Sequence, residues 1–229
     1  MLLKAWDALP ARMRNAPVRG YYELLKQKRA ALVLKRLFDV LASIILLVIL
    51  LPVLLALMVL IALDSEGPVM FRQTRVTQYG RRFRIYKFRT MVHHAESLGT
   101  QVTSRDDARV TRAGRMLRKL RLDELPQLFN ILVGDMTFVG TRPEVPKYVA
   151  RYSDEMLATL LLPAGVTSEA SIYYKDEELL LADVRDADAT YLGEVLPVKM
   201  RYNLEGIRKF CSSYELRVMG KTITAVTKK

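Results

Sequence analysis

Cysteine and histidine are nearly absent from this chain, and each scarcity excludes something. A single cysteine, Cys211, rules out an internal disulfide and suits a reducing compartment. With no histidine near it in sequence, Cys211 is expected to be a packing residue. Two histidines, His93 and His94, leave little basis for a Ser-His-Asp triad or a His-rich zinc site. Being adjacent, they point in divergent directions and are expected at the surface. Asp183, Asp186 and Asp188 lack the ligand spacing and central glycine of a calcium loop, and read as surface acid. There is no internal repeat or low-complexity tract. Acidic residues are also in short supply: 24 against 36 Lys and Arg, a formal charge of +12. That balance points to anionic partners, among lipid headgroups, nucleotides and nucleic acid. The surplus is concentrated in residues 64–122, which hold 14 Lys and Arg against 5 Asp and Glu.

What the chain has in abundance is apolar sequence in one place. From Leu37 to Leu63 only Asp39 and Ser43 interrupt an apolar run, longer than the ~18 residues that mark a membrane helix. Straight, it would be about 40 Å long at ~1.5 Å per residue, against a hydrocarbon core of ~30 Å. Pro52 has no N–H for the carbonyl of Val48 and its ring clashes there, so a kink is predicted. The run is too long and starts too late for a signal peptide. Lys26, Lys28, Arg29, Lys35 and Arg36 precede it; Arg72, Arg75, Arg81, Arg82 and Arg84 follow. Such residues tend to stay on the cytoplasmic side, and a simple span would put one cluster outside. A break at Pro52 gives arms of roughly 22 and 18 Å, each too short to span and able to dip into one leaflet. A tilted transmembrane helix that tolerates its proline is the alternative. The chain thus divides into a basic arm or interfacial helix over 1–34, broken by Pro10 and Pro17, a membrane segment over 35–63, and one further domain over 64–229.

Residues 69–91 alternate in two runs around Gln78-Tyr79-Gly80, the pattern of a β-hairpin. Phe83, Ile85 and Lys87 fall on one face, Arg84, Tyr86 and Phe88 on the other. Basic residues interleaved with aromatics suit single-stranded nucleic acid, phosphates at a membrane surface, or a solvated ribbon. A membrane-anchored nucleic-acid-binding or regulatory adaptor is therefore one reading. Arg109, Arg112, Arg115 and Arg118 recur every three residues and make a basic stripe if helical. The next stretch, DELPQLFNILVG, predicts a helix with Asp123 as N-cap, Glu124 and Pro126 in the first turn, and a stop at Gly134. Its buried face would be Leu125, Leu128, Phe129 and Leu132. Two carboxylates at a helix start beside Arg118 and Arg121 would have lowered pKa values. An ionised carboxylate among cations can attack phosphorus, and its neighbour can hold a divalent metal; an ordinary Asp cap followed by a Glu accounts for the same letters. Arg142 adds a cation just downstream. Beyond it, 163–165 predicts a turn, 171–174 an extended piece and 176–182 a helix. Leu216, Met219, Ile223 and Val226 share one face of a terminal helix, turned either to headgroups, with Lys221, Lys228 and Lys229, or to the domain.

In this order the motifs resemble the monotopic polyprenol-phosphate phosphoglycosyl transferases, also called bacterial sugar transferases, in their short catalytic form. The resemblance runs from about residue 35 to the C-terminus. It is carried by KRLFDVLAS with its proline-broken helix, GPVMFRQTRV, FRIYKFRTM, LRKLRLDELPQLFNILVGDMTFVGTRPE and PAGVTSEASI. It implies an α/β fold, mostly helical with a small β-hairpin or sheet: a re-entrant helix-break-helix at Pro52 in the bacterial inner membrane, and a catalytic domain with interfacial amphipathic helices on the cytoplasmic face. The implied activity is transfer of a sugar 1-phosphate from a UDP-sugar to undecaprenyl phosphate, with release of UMP. By the resemblance Asp123 is the nucleophile, forming a covalent phosphosugar–aspartate, and Glu124 holds Mg²⁺. Arg118 and Arg142 would bind phosphates, with Lys87 and Arg89 as further candidates. The implied partners are the UDP-sugar, undecaprenyl phosphate and membrane lipids, with a homodimer as a further candidate and nucleic acid excluded. Thr77 and Thr141 stand where glycine and proline are frequent, and PAGVTSEA where P-G-I-T-G is commoner, so the resemblance leaves the sugar open.

Overall fold

The computed structural model describes residues 3–92, 95, 107–175, 177, 180, 184 and 186–227. His93, His94, Asp183, Lys228, Lys229 and most of the helix predicted over 176–182 lie outside the described residues. Asn15 caps the first helix, α1 (Ala16–Gln27), its Oδ1 accepting from the Val18 N–H at 2.9 Å. Val18, Tyr21, Tyr22 and Leu25 are buried, packed with Leu9 and Met13 of two preceding 3₁₀ turns into the largest apolar cluster. The N-terminal segment is therefore part of the domain core, where an arm or interfacial helix was predicted. Its apolar residues have protein partners that are distant in sequence, such as Leu157, Leu161 and Met200.

The apolar run forms α2 (Arg29–Asp64), which begins six residues before the predicted boundary and continues through Pro52 without interruption. The residues on either side of Pro52 thus belong to one helical element, in which re-entry requires a bend rather than a break. Leu32, Lys35, Asp39, Ser43, Leu54, Leu57 and Ile61 are buried, and Leu46, Leu47 and Leu50 pack between them. Spaced by three or four, these residues form one stripe along the whole helix. The opposite side, including Leu37, Ile45, Val48, Ile49, Leu55, Val59 and Leu63, is exposed. Among the described residues, α2 is the one helix long and apolar enough to cross a membrane.

Strands β1 (Met70–Val76) and β2 (Arg82–Phe88) pair antiparallel, Met70 opposite Phe88 and Val76 opposite Arg82. The turn uses positive φ at Tyr79 and Gly80, so the predicted hairpin is present. Phe83 and Ile85 pack on α4 (Gln127–Val133), whereas Phe88 packs on α2 and on Leu117 of α3 (Arg112–Lys119). Phe83 and Phe88 thus face inward, while Tyr86 is half-buried with the Arg72 guanidinium over its ring, 5.3 Å from the centroid. Arg109 precedes α3 and bonds Asp107, so the basic stripe is shorter than predicted.

Strands β3 (Met136–Val139) and β4 (Ala164–Thr167) pair in parallel. Ala164 and Gly165 of the turn predicted at 163–165 are thus strand. Two glycines permit the pairing: a Cβ on Gly165 would lie 2.2 Å from the backbone of Gly140. Short helices α5 (Pro146–Val149) and α6 (Glu169–Tyr173) flank β4; α6, capped by Ser168, occupies the stretch predicted as extended. Asp186 caps α7 (Ala187–Thr190), which passes through a π turn at Tyr191–Val195 into α8 (Leu196–Arg208). The last helix, α9 (Ser212–Thr227), buries Glu215 and Val218 and exposes Leu216, Ile223 and Val226. Cys211, ahead of it, is exposed rather than packed.

Several cations flanking the apolar run are committed to the domain. Lys35 donates to the Val139 carbonyl (3.0 Å) and Glu215 (2.5 Å), while Asp39 accepts from the Thr137 hydroxyl (2.7 Å) and the Phe138 N–H (3.2 Å). Arg36 donates to the last carbonyls of α4, Ile131 (2.6 Å) and Leu132 (2.8 Å), where a cation also suits the helix dipole. At the far end Asp64 accepts from the Ala113 N–H of α3 at 3.0 Å.

The glycine crossing gives a stability test. Gly165→Ala forces backbone on backbone and is expected to cost about 1–3 kcal/mol, lowering the thermal midpoint by at least ~2 °C. Gly20→Ala, in α1 with nothing within 4 Å of the added carbon, leaves the midpoint unchanged or raises it. A wild-type midpoint for Gly165→Ala, by scanning fluorimetry in detergent, contradicts the crossing.

Candidate active site

The segment between α3 and α4 brings the predicted carboxylates to one place by a route the sequence did not indicate. Arg121 adopts the left-handed conformation (φ 56°), Leu122–Glu124 form a single 3₁₀ turn, and α4 starts only at Gln127. Asp123 is therefore not a helix N-cap. A capping Asp123 would use the N–H two or three residues on, and the second of these belongs to Pro126, which has none. Gly134 (φ 88°) ends the helix as predicted. The buried face is Gln127, Leu128, Asn130 and Ile131, whereas Phe129 is 46% exposed, contrary to expectation. Asn130 explains the rotation. Its Nδ2 donates to the Arg84 carbonyl and its Oδ1 accepts from the Tyr86 N–H, both at 2.9 Å, so the helix satisfies the open edge of β2.

That seating places Glu124 between three cations from separate elements. Glu124 Oε1 accepts from Arg142 Nη2 at 2.5 Å and from Lys87 Nζ of β2 at 3.2 Å; Oε2 accepts from Arg142 Nη1 at 3.1 Å. Arg121 Nη1 stands 4.0 Å away, and its Nη2 donates to the Lys175 carbonyl at 2.9 Å. The two-pronged Arg142 contact is the strong, direction-fixing form of the pair. Arg118 donates from Nε to Thr90 Oγ1 at 3.0 Å and lies close enough to Asp123 to favour its charge. Arg89 has another task. Its guanidinium donates to the carbonyls of Pro68 (2.6 Å), Ile61 (3.2 Å) and Ser65 (2.5 Å), tying down the end of α2, so the structure does not bring it to the cluster.

Two supporting groups escaped sequence reasoning. Arg75, half-buried on β1, donates to the Pro143 carbonyl at 3.1 Å and holds the loop that carries Arg142. Behind the same loop Glu144 is buried, accepting from the Tyr191 hydroxyl and, at 3.5 Å, from Lys199. Their partners lie up to 68 residues away, and no local spacing announces them.

The adjacent carboxylates are tuned in opposite directions. Burial pushes Asp123 up, and the negative neighbour Glu124 adds to this against Lys87, Arg118 and Arg121. The lowered pKa expected from a helix start is thus corrected: the helix start is elsewhere, and desolvation dominates. Burial also pushes Glu124 up, but Arg142 and Lys87 outweigh it and hold the carboxyl well below the usual range. Burial pulls Lys87 down, and Glu124 raises Arg142. Among the described residues no group of three or more His, Cys, Asp or Glu could cage a metal. Yet Asp123 Oδ1 is buried with no hydrogen-bond partner among the described residues. Asp123 and Glu124, neighbours in sequence and hard oxygen donors, are the residues that would hold a small divalent cation.

A family profile described as "Bacterial sugar transferase" matches residues 30–229. The chain is 37% identical over 196 residues to a UDP-N-acetylgalactosamine-undecaprenyl-phosphate N-acetylgalactosaminephosphotransferase of Aeromonas hydrophila, covering 84% of this chain and 43% of that protein. It is 42% identical over 156 residues to an undecaprenyl-phosphate glucose phosphotransferase of Komagataeibacter xylinus (65% of this chain, 29% of that one). It is 37% identical over 155 residues to an undecaprenyl-phosphate galactose phosphotransferase of Salmonella typhimurium (61% and 32%). The chain thus spans less than half the length of these three relatives.

Glu124→Gln tests the shared counter-ion. Glu124, with its lowered pKa, contributes stability that is full above the ordinary carboxylate range and is lost as the pH falls through the lowered value. Asp123 acts in the opposite sense, since ionising it above its raised pKa costs stability. Lys87 and Arg142 remain partly solvated, so the substitution is expected at the low end of roughly 3–5 kcal/mol. Its melting midpoint should also decline less on acidification than that of wild type. Equal acid slopes for the two proteins would contradict the assignment.

Proposed function

As the chain belongs to the bacterial sugar transferase family, we propose that it transfers a sugar 1-phosphate from a UDP-sugar to undecaprenyl phosphate and releases UMP. The observation that carries this is the buried Asp123–Glu124 pair, ringed by Lys87, Arg121, Arg142 and Arg118 beside a long apolar helix. A carboxylate oxygen of Asp123 attacks the sugar-bearing phosphorus. The bond from that phosphorus to the bridging oxygen breaks, and UMP leaves with the electron pair. An oxygen of the lipid phosphate then attacks the same phosphorus and Asp123 regains its carboxylate, leaving a polyprenyl diphosphate sugar. Two steps replace one direct encounter of anions. Burial makes Asp123 more basic than an exposed aspartate, which favours attack once it is ionised. Arg142 and Lys87 offset the diphosphate charge, with Glu124 keeping both in place before substrate arrives. Glu124 and the unsatisfied oxygen of Asp123 would hold Mg²⁺ which, when bound, adds charge neutralisation on the diphosphate.

The placement of α2 supports a monotopic, re-entrant reading. Its buried stripe rests on the domain from Leu32 to Ile61, so both ends stay with one body. A helix crossing to the far side would draw Phe88, Leu117 and Leu128 into the bilayer with it. The exposed side of α2 faces lipid in this reading. Phe129 and Val133 of α4, Met116 of α3, and Leu216 and Ile223 of α9 are also exposed and extend the apolar surface as interfacial helices. The domain then sits on the cytoplasmic face of the inner membrane, where UDP-sugars are found.

Incubating the purified chain with undecaprenyl phosphate, Mg²⁺ and UDP-N-acetylgalactosamine, UDP-glucose or UDP-galactose should release UMP from at least one donor, and chelation should stop it. Asp123→Asn should reduce release by at least ~10³-fold. Metal-independent release, or full turnover by Asp123→Asn, sinks the mechanism. Topology has its own test: cysteines placed at Arg29 and Glu66 in a Cys211→Ser background should label from the same side of sealed vesicles. Labelling from opposite sides rejects re-entry.

A further inference from the structure

Gln127 is 1% exposed, and among the described residues nothing hydrogen bonds either its Oε1 or its Nε2. Buried side-chain amides are nearly always bonded, and leaving one unsatisfied is destabilising. Its surroundings make the anomaly specific. Glu124 lies three residues before it and reaches Lys87 on β2; Asn130 lies three residues after it and bonds Arg84 and Tyr86 on β2. Gln127 therefore stands one turn before Asn130 on the buried face of α4. The other buried, unpartnered oxygen in this turn is Oδ1 of Asp123. One donor-bearing amide and one carboxylate oxygen thus lie unsatisfied in the same short segment.

We infer that Gln127 is a catalytic residue whose amide Nε2–H donates to a phosphoryl oxygen while the phosphorus is being transferred to and from Asp123. The inference rests on the reaction proposed above and goes beyond it. A phosphoryl group on Asp123 presents acceptor oxygens to a donor that has none in the resting protein. An interaction absent from the resting state and present during transfer lowers the barrier rather than merely tightening binding. Unlike Lys87 and Arg142, whose charge Glu124 already engages, the neutral amide has no contact to break first. Its partner can be the sugar phosphate on its way in or the lipid phosphate on its way out, and the two half-reactions separate these.

Gln127→Met keeps length and volume and removes every hydrogen bond. If the amide is unsatisfied at rest, the variant melts at or above the wild-type temperature. Single-turnover UMP release with a donor that wild type uses, without lipid acceptor, should nevertheless fall about 100-fold, the usual effect of losing one transition-state donor, with kcat affected more than KM. A defect confined to resolution by undecaprenyl phosphate assigns the contact to the lipid phosphate instead. Wild-type rates in both half-reactions overturn the inference and leave the parent reaction standing. A melting point below wild type for both Gln127→Met and Gln127→Leu also overturns it, since the amide would then be satisfied at rest, for example by a buried water. Absence of UMP release by wild type with every donor removes the parent reading itself.

Discussion

Lys35, Asp39 and Ser43 interrupt the apolar sequence of α2 on the one stripe that is buried against protein, and the rest of the structure hangs from that stripe. A buried ammonium or carboxylate is tolerable only when paired and hydrogen bonded. Lys35 meets Glu215 and the Val139 carbonyl, and Asp39 meets Thr137 and Phe138. These contacts fix β3 and α9 to the helix at a defined rotation. One turn of the wrong sense would bury Leu37 or Leu41 there and turn two charges outward among apolar side chains. Farther along, Leu54, Leu57 and Ile61 fix the hairpin and α3 through Phe88 and Leu117. The helix thus aligns every element that contributes to the cluster around Glu124.

Within that cluster, two neighbouring carboxylates of nearly equal intrinsic acidity differ in character because of what each touches. Glu124 is bonded to a fork of guanidinium and to an ammonium and is a fixed anion. Asp123 has charge nearby but an oxygen without a donor. Burial is the leading influence on both and acts upward on both; only the direct bonds separate them. Glu124 keeps order among the cations while Asp123 retains an unbonded oxygen among the described residues, an arrangement that a pair of equally bonded carboxylates could not supply.

How much was legible in the letters depends on whether the deciding partner was local. The hairpin was, because Tyr79-Gly80 sets its own turn; so was the stop at Gly134. The membrane helix was visible in its length, though its continuity through Pro52 was not. Phe129 was placed in the core because an apolar residue at helical spacing looks the same whether it faces protein or an apolar surrounding. Only Asn130, bonding a strand 44 to 46 residues earlier, fixes the rotation. Asp123 looked like a cap because DELP has the right letters, yet the donor it needed was removed by Pro126. β4 was missed since Gly165 finds its reason in Gly140. Arg89 sat inside a motif rich in cations, and nothing local distinguished a helix-end clamp from a phosphate ligand. The Asp-Glu pair itself was legible, but the opposite tuning of its members was not, because tuning depends on burial.

Arg36 has a mechanical implication. Its two hydrogen bonds grip the last carbonyls of α4, and the other end of α4 abuts the turn that holds Asp123. Seven helical residues make a strut of about 10 Å, too short to flex. Tilt or vertical displacement of α2 is therefore passed on to Asp123 through a short, stiff element. A bilayer whose thickness differs from the length of the exposed apolar face would act on this lever, since mismatch is relieved first by tilt. The lipid environment then becomes a tuning variable for the position of Asp123.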